Sequence, residues 1–367
     1  MTSPYEESPF IVIWETTRAC DLHCRHCRAA AIPMRNPAEL STDQAMRLID
    51  DVAALRPQPL FVLTGGDPMK RPDLVEIVRY ASKRVRVSIT PSATPLVTDD
   101  KIRELAAAGL SRWAFSIDGA TADTHDCFRG QPGSFQCTLD AVSTLQEIGL
   151  PLQVNTTVSR INREELAEIG QLVESMGAVL WSVFFLVAVG RGHLEEALDA
   201  YETEEILRWL ARFSETVRMD IKTTEAPQYR RVLKQLGVAP RARGASSGIG
   251  RAPRPVADGD GFVFVSHLGK VYPSGFLPVA CGDVRERPLS EIYRTSPLLR
   301  DLRDRSLLRG KCGYCEYREA CGGSRARAYA VTGDALESDP YCSHLPDPEF
   351  ARQQRREDVR AMRVASS

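Results

Sequence analysis

Residues 20–27 read CDLHCRHC and set three thiols, Cys20, Cys24 and Cys27, in one short stretch. Four more cysteines, Cys312, Cys315, Cys321 and Cys342, gather toward the carboxyl end, while Cys127, Cys137 and Cys281 stand alone. Soft thiolates select zinc, copper(I) or iron–sulfur clusters. A structural zinc site is usually closed by four ligands, so a set of three suggests another use. A four-iron cube held by three thiolates leaves one iron open to a small ligand. The i, i+4, i+7 spacing lets a short wrapping loop aim all three sulfurs at one cube. A zinc site completed by His23 or His26 is the competing reading. The later group, C-x2-C-x5-C followed by Cys342, offers four thiolates, enough to saturate a cluster or to close a zinc knot.

The elements that must position these groups show as short β-rich runs alternating with amphipathic stretches. FIVIWETT (10–17), PLFVLT (59–64), VRVSIT (85–90), RWAFSID (112–118), LQVNTTV (152–158) and LWSVFFLV (180–187) read as strands. STDQAMRLIDDVAAL (41–55) opens with Ser41 and Gln44 spaced as a capping box, and NREELAEIGQLVESMG (162–177) opens similarly with Asn162 and Glu165. Further helices are expected near 72–81, 98–108, 136–148 and 202–217. Six strand–helix units in succession predict a parallel sheet, either open and doubly wound or curved into a partial barrel. In both, ligands collect at the carboxyl ends of the strands, where the first cysteine group falls. Residues 237–260 are rich in Gly, Pro, Ala and Arg and read as a mobile linker or lid. GFVFVSHLGKVYPSG (261–275) reads as a hairpin turning at Leu268-Gly269.

The chain has 367 residues, is 43% hydrophobic and carries a formal net charge of −1. That balance gives no electrostatic case for nucleic acid or an anionic membrane as partner. The first ten residues lack a secretory pattern, and no apolar run approaches the ~18–20 residues of a membrane span. A cytoplasmic protein is expected, with thiols serving as ligands or buried residues rather than disulfides.

CDLHCRHC resembles the CxxxCxφC signature of the radical SAM enzymes, with His26 at the usually aromatic φ position. The resemblance runs from residue 10 to about 190 and implies an α/β fold, a partial (β/α)6 TIM-like barrel. It implies that Cys20, Cys24 and Cys27 hold a [4Fe–4S] cluster whose unique iron is chelated by S-adenosylmethionine, which the reduced cluster cleaves to a 5′-deoxyadenosyl radical. TGGDP (64–68) is similar to the family's motif for the methionine amino group, with Gly65, Gly66 and Asp67 where Glu is usual. The glycines would let backbone approach a ligand closely. Thr90, Ser92, Ser116 and Asp118 resemble the family's ribose and carboxylate contacts at strand ends, and Asn155 and Leu186 fall at the fifth- and sixth-strand positions. Arg129, expected in a loop after the fourth strand, would pair with a carboxylate.

KCGYCEYREACGG resembles the C-terminal SPASM or twitch extension. Ser274 and Arg325 stand where the full extension has cysteines. The resemblance therefore implies one auxiliary [4Fe–4S] cluster, on Cys312, Cys315, Cys321 and Cys342, with Cys281 left as a buried free thiol. The implied division is 1–217 barrel core, 218–260 connecting segment, 261–349 auxiliary-cluster extension and 350–367 charged tail. The run from Cys312 to Cys342 is similar to the heme d1 and alternative heme biosynthesis branch, which implies oxidative decarboxylation of a carboxylated tetrapyrrole. Arg230, Arg231, Arg325, Arg327 and the arginines of 241–254 offer forks for carboxylates. Glu225 and Tyr229, in TTEAPQYRR, are candidates for substrate contact or proton transfer at the barrel mouth. A peptide-modifying radical enzyme, or one that decarboxylates or rearranges a small natural product, is the alternative; only about ten residues precede the first strand, which weighs against a leading peptide-binding module. The implied partners are a small-molecule or peptide substrate and an external one-electron donor such as flavodoxin or ferredoxin.

Overall fold

The computed structural model describes residues 3–239 and 255–354. Strands β1 (Ile11–Glu15), β2 (Leu60–Thr64), β3 (Arg86–Ile89), β4 (Arg112–Ser116), β5 (Leu152–Val158), β6 (Leu180–Phe185) and β7 (Asp220–Thr224) pair in chain order, each parallel to the one before. Six of them are the expected strands. The seventh, DIKTT, has no apolar alternation to announce it; β6 supplies its ladder partners instead, from Leu180↔Asp220 to Phe184↔Thr224.

The first strand is not an edge. Strand β9 (Gly261–Val265) lies parallel to β1 on the side away from β2, in register from Ile11↔Phe262 to Trp14↔Val265. A two-residue β8 (Ala257–Asp258) sits beside β9, and β10 (Lys270–Tyr272) and β11 (Gly282–Asp283) follow antiparallel. The expected hairpin is present, closed by Ser266 N–H to Lys270 O at 2.8 Å, with Gly269 at φ +84°. The sheet ends at β11 and β7, so the barrel is open. It also runs across residues 217 and 261, which the sequence reading set as boundaries. Of the expected linker, residues 240–254 lie outside the described part, as do 355–367 of the tail.

Alternation along the strands sorts the two faces. Trp14, Phe61, Val87, Trp113, Val154 and Trp181 turn outward and are fully buried under the helices. The helix Thr42–Ala54 packs there through Ala45, Leu48, Ile49 and Val52, each larger side chain contributing about 1.5–3 kcal/mol. Its capping box forms as expected, Gln44 N–H to Ser41 Oγ and Ser41 N–H to Gln44 Oε1. The second expected box does not. A 3₁₀ turn, Arg163–Glu165, precedes the helix Leu166–Ser175. Asn162 instead donates to Asp118 O and Thr157 O, and Glu165 accepts from Ala120 N–H and Thr124 Oγ. Both brace the loop after β4. Among the described residues no helix is long and apolar enough to cross a membrane.

Candidate active site

The first cysteine loop leaves β1 at its carboxyl end and is held by residues from four distant segments. Gly66 N–H donates to Thr17 O (2.8 Å) and Asp67 N–H to Ala19 O (2.6 Å). A Cβ on Gly66 would lie 2.5 Å from Ala19 O, and one on Gly65 would lie 2.6 Å from Thr17 O. The glycine pair therefore serves a close approach to the backbone leading into Cys20. Arg191 clamps the other end of the loop, with Nε on Cys24 O and Nη1 on Ala31 O, both at 2.9 Å. Its own N–H reaches Cys27 O at 3.0 Å. Gly190, at φ +62°, has no room for a Cβ against the carbonyls of Cys27 and Arg28.

The sulfurs sit among donors. Leu22 N–H lies 3.3 Å from Cys20 Sγ, Ala31 N–H lies 3.4 Å from Cys27 Sγ, and Ser92 Oγ touches Cys20 Sγ at 3.3 Å. Ser92 Oγ also donates to Gly66 O at 2.9 Å. Burial pushes the Cys20 thiol up to about 11, so a thiolate here needs a cation or metal to offset its desolvation.

Asp67 is fully buried and both its oxygens are engaged, Oδ1 by Met69 and Ser92 N–H and Oδ2 by Thr94 Oγ. Burial pushes its carboxyl up to about 6. Asp67 thus ties the β2 and β3 loops together. Arg129 is also placed differently from the expectation. It closes a helix, Ala122–Arg129, capped by Thr121 and terminated by left-handed Gly130. The helix carries Phe128 under the His26 ring, centroids 4.4 Å apart, and brings Arg129 Nη1 to 3.4 Å from Asp118 Oδ2.

Asp118 Oδ1 accepts from Thr157 N–H at 2.7 Å. Its Oδ2 is ion-paired with Arg129 and lies 3.9 Å from His26 Nε2, while His26 Nδ1 and Arg129 Nε are buried with no hydrogen-bond partner. Buried polar atoms are rarely left so, and these two nitrogens flank the cysteine loop, so they fit a polar group bound there. Ser116 and Asn155 are ladder partners beside them, Thr90 N–H bonds Leu63 O, and Leu186 N–H bonds Val158 O after β6.

Sequence reasoning missed Arg191, Arg28, Glu15 and His267. Arg28, next to Cys27, donates to Glu15 Oε1 at 2.8 Å and lies over the Phe264 ring; His267 Nδ1 meets Glu15 Oε2 at 2.7 Å. Burial alone would raise the Glu15 carboxyl, but Arg28 and His267 outweigh it and hold it at about 2. An arginine beside the last cysteine was the only visible signal.

Cys312, Cys315, Cys321 and Cys342 line one cleft with Arg231, Tyr317 and His344. All ten cysteines are free of disulfides. Backbone N–H groups of Asp339, Tyr317 and Gly323 lie at 3.4–3.5 Å from the sulfurs of Cys312, Cys315 and Cys321. Burial pushes Cys315 and Cys321 up to about 12. Four thiols around one cleft, ringed by amide donors, fit a metal cluster. Cys315, Glu316 and His344 form a smaller metal-capable set, though Glu316 and His344 already pair at 2.8 Å.

The arginine forks near this cleft are mostly spent within the chain. Arg325 donates to the carbonyls of Gly323, Ala335 and Glu337, Arg327 donates to Glu225 O, and Arg231 pairs with Glu204. Glu225 does not face an open mouth. It is buried at φ +59°, accepts from Ser324 Oγ at 2.5 Å, and is pushed well up by burial and by Asp258. Tyr229 turns into the hydrophobic core and its hydroxyl donates to Leu210 O. Neither placement favours proton transfer. Cys281 is half-buried, and burial pushes its thiol up to about 11.

A profile of the Radical SAM superfamily matches residues 14–173. The AdoMet-dependent heme synthase of Methanosarcina barkeri is 42% identical over 344 residues, 92% of this chain and 97% of that one. The Fe-coproporphyrin III synthase of the same organism is 31% identical, over 90% of this chain and 87% of that one. Among solved structures, SuiB of Streptococcus suis bound to its precursor peptide SuiA superposes with a TM-score of 0.70 at 14% identity, over 92% of this chain and 76% of SuiB. This last likeness is one of fold.

Proposed function

The chain belongs to the radical SAM superfamily and is a radical SAM enzyme, and from that premise we propose that it oxidatively decarboxylates propionate side chains of a carboxylated tetrapyrrole. The observation that carries this reading is the identity to a heme synthase across nine-tenths of the chain. When bound, the [4Fe–4S] cluster and S-adenosylmethionine supply a 5′-deoxyadenosyl radical able to take a hydrogen atom from an unactivated carbon. Cys20, Cys24 and Cys27 are the proposed ligands of that cluster. Gly65, Gly66, Gly190 and Arg191 fix the loop that carries them. His26 and Arg129 offer their unpartnered nitrogens to the cofactor, with Asp118, Ser116, Asn155, Thr90 and Leu186 beside them. Cys312, Cys315, Cys321 and Cys342 are the proposed ligands of a second, fully ligated cluster.

For the substrate, the balance is simple. A propionate that gives up one hydrogen atom from its ring-proximal carbon, beside the carboxylate-bearing one, then one electron and carbon dioxide, becomes a vinyl group. The electron leaves to an acceptor outside the substrate, and an external donor such as a flavodoxin or ferredoxin starts each turnover. A reducing cytoplasm suits a chain whose cysteines are all free.

Anaerobic incubation of reconstituted protein with S-adenosylmethionine, reductant and an iron porphyrin bearing propionates tests the proposal. The expected product is lighter by carbon dioxide and two hydrogens per side chain, formed with 5′-deoxyadenosine. An unchanged porphyrin, with coupled turnover on a peptide instead, overturns it.

A further inference from the structure

One turn of the carboxyl-terminal extension touches two separate parts of the half-barrel's inner face. Ser274–Leu277 follows β10 and closes on itself, with Phe276 N–H on Ser274 Oγ at 3.2 Å and Leu277 N–H on Ser274 O at 3.4 Å. On one side Gly275 lies against Arg28 and Phe264: a Cβ there would stand 3.0 Å from Arg28 Cδ and 3.2 Å from Phe264 Cε2. On the other side the next residue, Phe276, sets its ring 6.2 Å from the ring of Phe184 on β6. Consecutive Cα atoms are about 3.8 Å apart, so a single peptide unit joins the two contacts.

Val183 and Phe185 belong to the helix-side core, so Phe184 between them faces inward, as Phe264 does between Val263 and Val265. The lumen around Phe184 is polar. Its ladder partners are Thr157 and Thr224, and Thr157 N–H is the group that holds Asp118 beside the cysteine loop. Phe184 is half-buried and, among the described residues, is part of neither large apolar core; Phe276, also half-buried, rests on the small core around Leu277. Two part-open phenyl rings on a polar face next to a candidate active site suit a flat, apolar ligand. Arg28 supplies a polar end. It directly follows Cys27, and its guanidinium lies 4.6 Å from the centre of the Phe264 ring. Its Nη2 donates to Glu15 Oε1 at 2.8 Å, and Glu15 gives its other oxygen to His267 at 2.7 Å. The fork is thus fixed, with Glu15 as counter-charge, while Nε and Nη1 have no partner among the described residues and 20% of the side chain is exposed. Free edges of a planar guanidinium match a carboxylate. Rings and fork together describe a ligand that is flat and apolar in its body and carboxylated at its rim.

We propose that the Ser274–Leu277 turn builds the substrate site: the macrocycle lies against Phe276 and Phe184, and Arg28 takes one of its carboxylates. This rests on the tetrapyrrole reading and names the residues that recognise the ring and one propionate. All three act in binding. They fix the ring between β6 and the first cysteine loop, and so decide which side chain stands near the carboxyl ends of the strands.

The test uses full-length, cluster-loaded protein at matched iron content and two probes, an iron porphyrin with four propionates and its tetramethyl ester. Binding is read by the shift of the porphyrin absorption band. Wild type should bind the acid more tightly than the ester. Arg28→Met should weaken the acid about tenfold, the loss of a charge-assisted contact, and barely change the ester, because the ester and the mutation remove the same contact. Phe276→Ala should weaken acid and ester alike, by about tenfold, through lost ring burial. Phe276→Leu, which keeps apolar packing on the core around Leu277, should still weaken both, by less. Equal loss of acid and ester in Arg28→Met marks a structural role for the Glu15 pairing and overturns the inference. Unchanged affinity of both Phe276 variants for both probes also overturns it, as does loss of S-adenosylmethionine binding in Phe276→Ala with porphyrin affinity intact, which assigns the rings to the cofactor. In each of these cases binding of the acid by wild type leaves the tetrapyrrole reading standing. Failure of wild type to bind the acid at all defeats the tetrapyrrole reading itself.

Discussion

The two cysteine regions solve the same problem of holding sulfur in opposite ways. The loop at Cys20–Cys27 is positioned from outside: by the β2 glycines, by Arg191 after β6, and by Phe128 O, which takes the Arg25 N–H. Beside it, His26 Nδ1 and Arg129 Nε have no hydrogen-bond partner. The cleft at Cys312–Cys342 is positioned largely from within, by amide donors of its own stretch, and Arg325 beside it donates to the carbonyls of Gly323, Ala335 and Glu337. The difference teaches what each site depends on: the first loop takes its shape from the whole sheet, the second cleft from its own stretch of chain.

The largest expected effect separates the two regions outright. Reconstituted wild type should carry about eight irons and eight sulfides per chain, for two cubes. Cys24→Ala should fall to about four irons and lose 5′-deoxyadenosine formation entirely, whereas Cys321→Ala should lose about as much iron and keep that cleavage without substrate turnover. Equal loss of cleavage in both would erase the contrast. Next comes Gly66→Ala, whose Cβ meets the Ala19 carbonyl at 2.5 Å. It should cost about 1–3 kcal/mol of stability by overpacking, and its spectrum should show the first cluster depleted and the second intact. Arg191→Ala, which frees two loop carbonyls, should do the same at a comparable cost of about 1–3 kcal/mol, and an unaltered first-cluster signal would show that the clamp is dispensable.

The last effect is read against pH and concerns Glu15, which joins the first loop to the hairpin. Its folded carboxyl is held at about 2, below its ordinary 4.5. Its contribution is therefore present above pH 4.5 and is lost as the pH falls from there toward 2, on the order of 3 kcal/mol in all. Melting curves of wild type should shift down across the upper part of that window, and Glu15→Gln should be lower at neutral pH and flatter below. Parallel curves would mean that Arg28 and His267 do not hold the carboxylate as their geometry suggests.

Much of this was legible in the sequence, for physical reasons that also mark the limits. Six strands announced themselves because their outer faces are apolar; β7 did not, because Asp220, Lys222 and Thr224 face a polar lumen. Ser41 caps as its spacing says, since both partners are local. Asn162 and Glu165 carry the same spacing but bond to the loop after β4, a choice made by tertiary neighbours. Arg129 reads as a loop residue until Thr121 and Gly130 are seen to bound a helix of eight residues. Arg325 and Arg327 look like anion forks until the carbonyls they satisfy are visible. Lone side chains that act over long separations, Arg191 and His267 among them, leave no periodic trace.

The parallel pairing of β1 with β9 carries a last consequence for anyone cutting the chain. A shortened protein ending before residue 257 would leave Ile11–Glu15 with a bare row of amides and carbonyls, the pattern that invites strand-to-strand aggregation. The segment before residue 257 is thus not a separable module, and expressing it alone should yield insoluble material rather than a smaller catalyst.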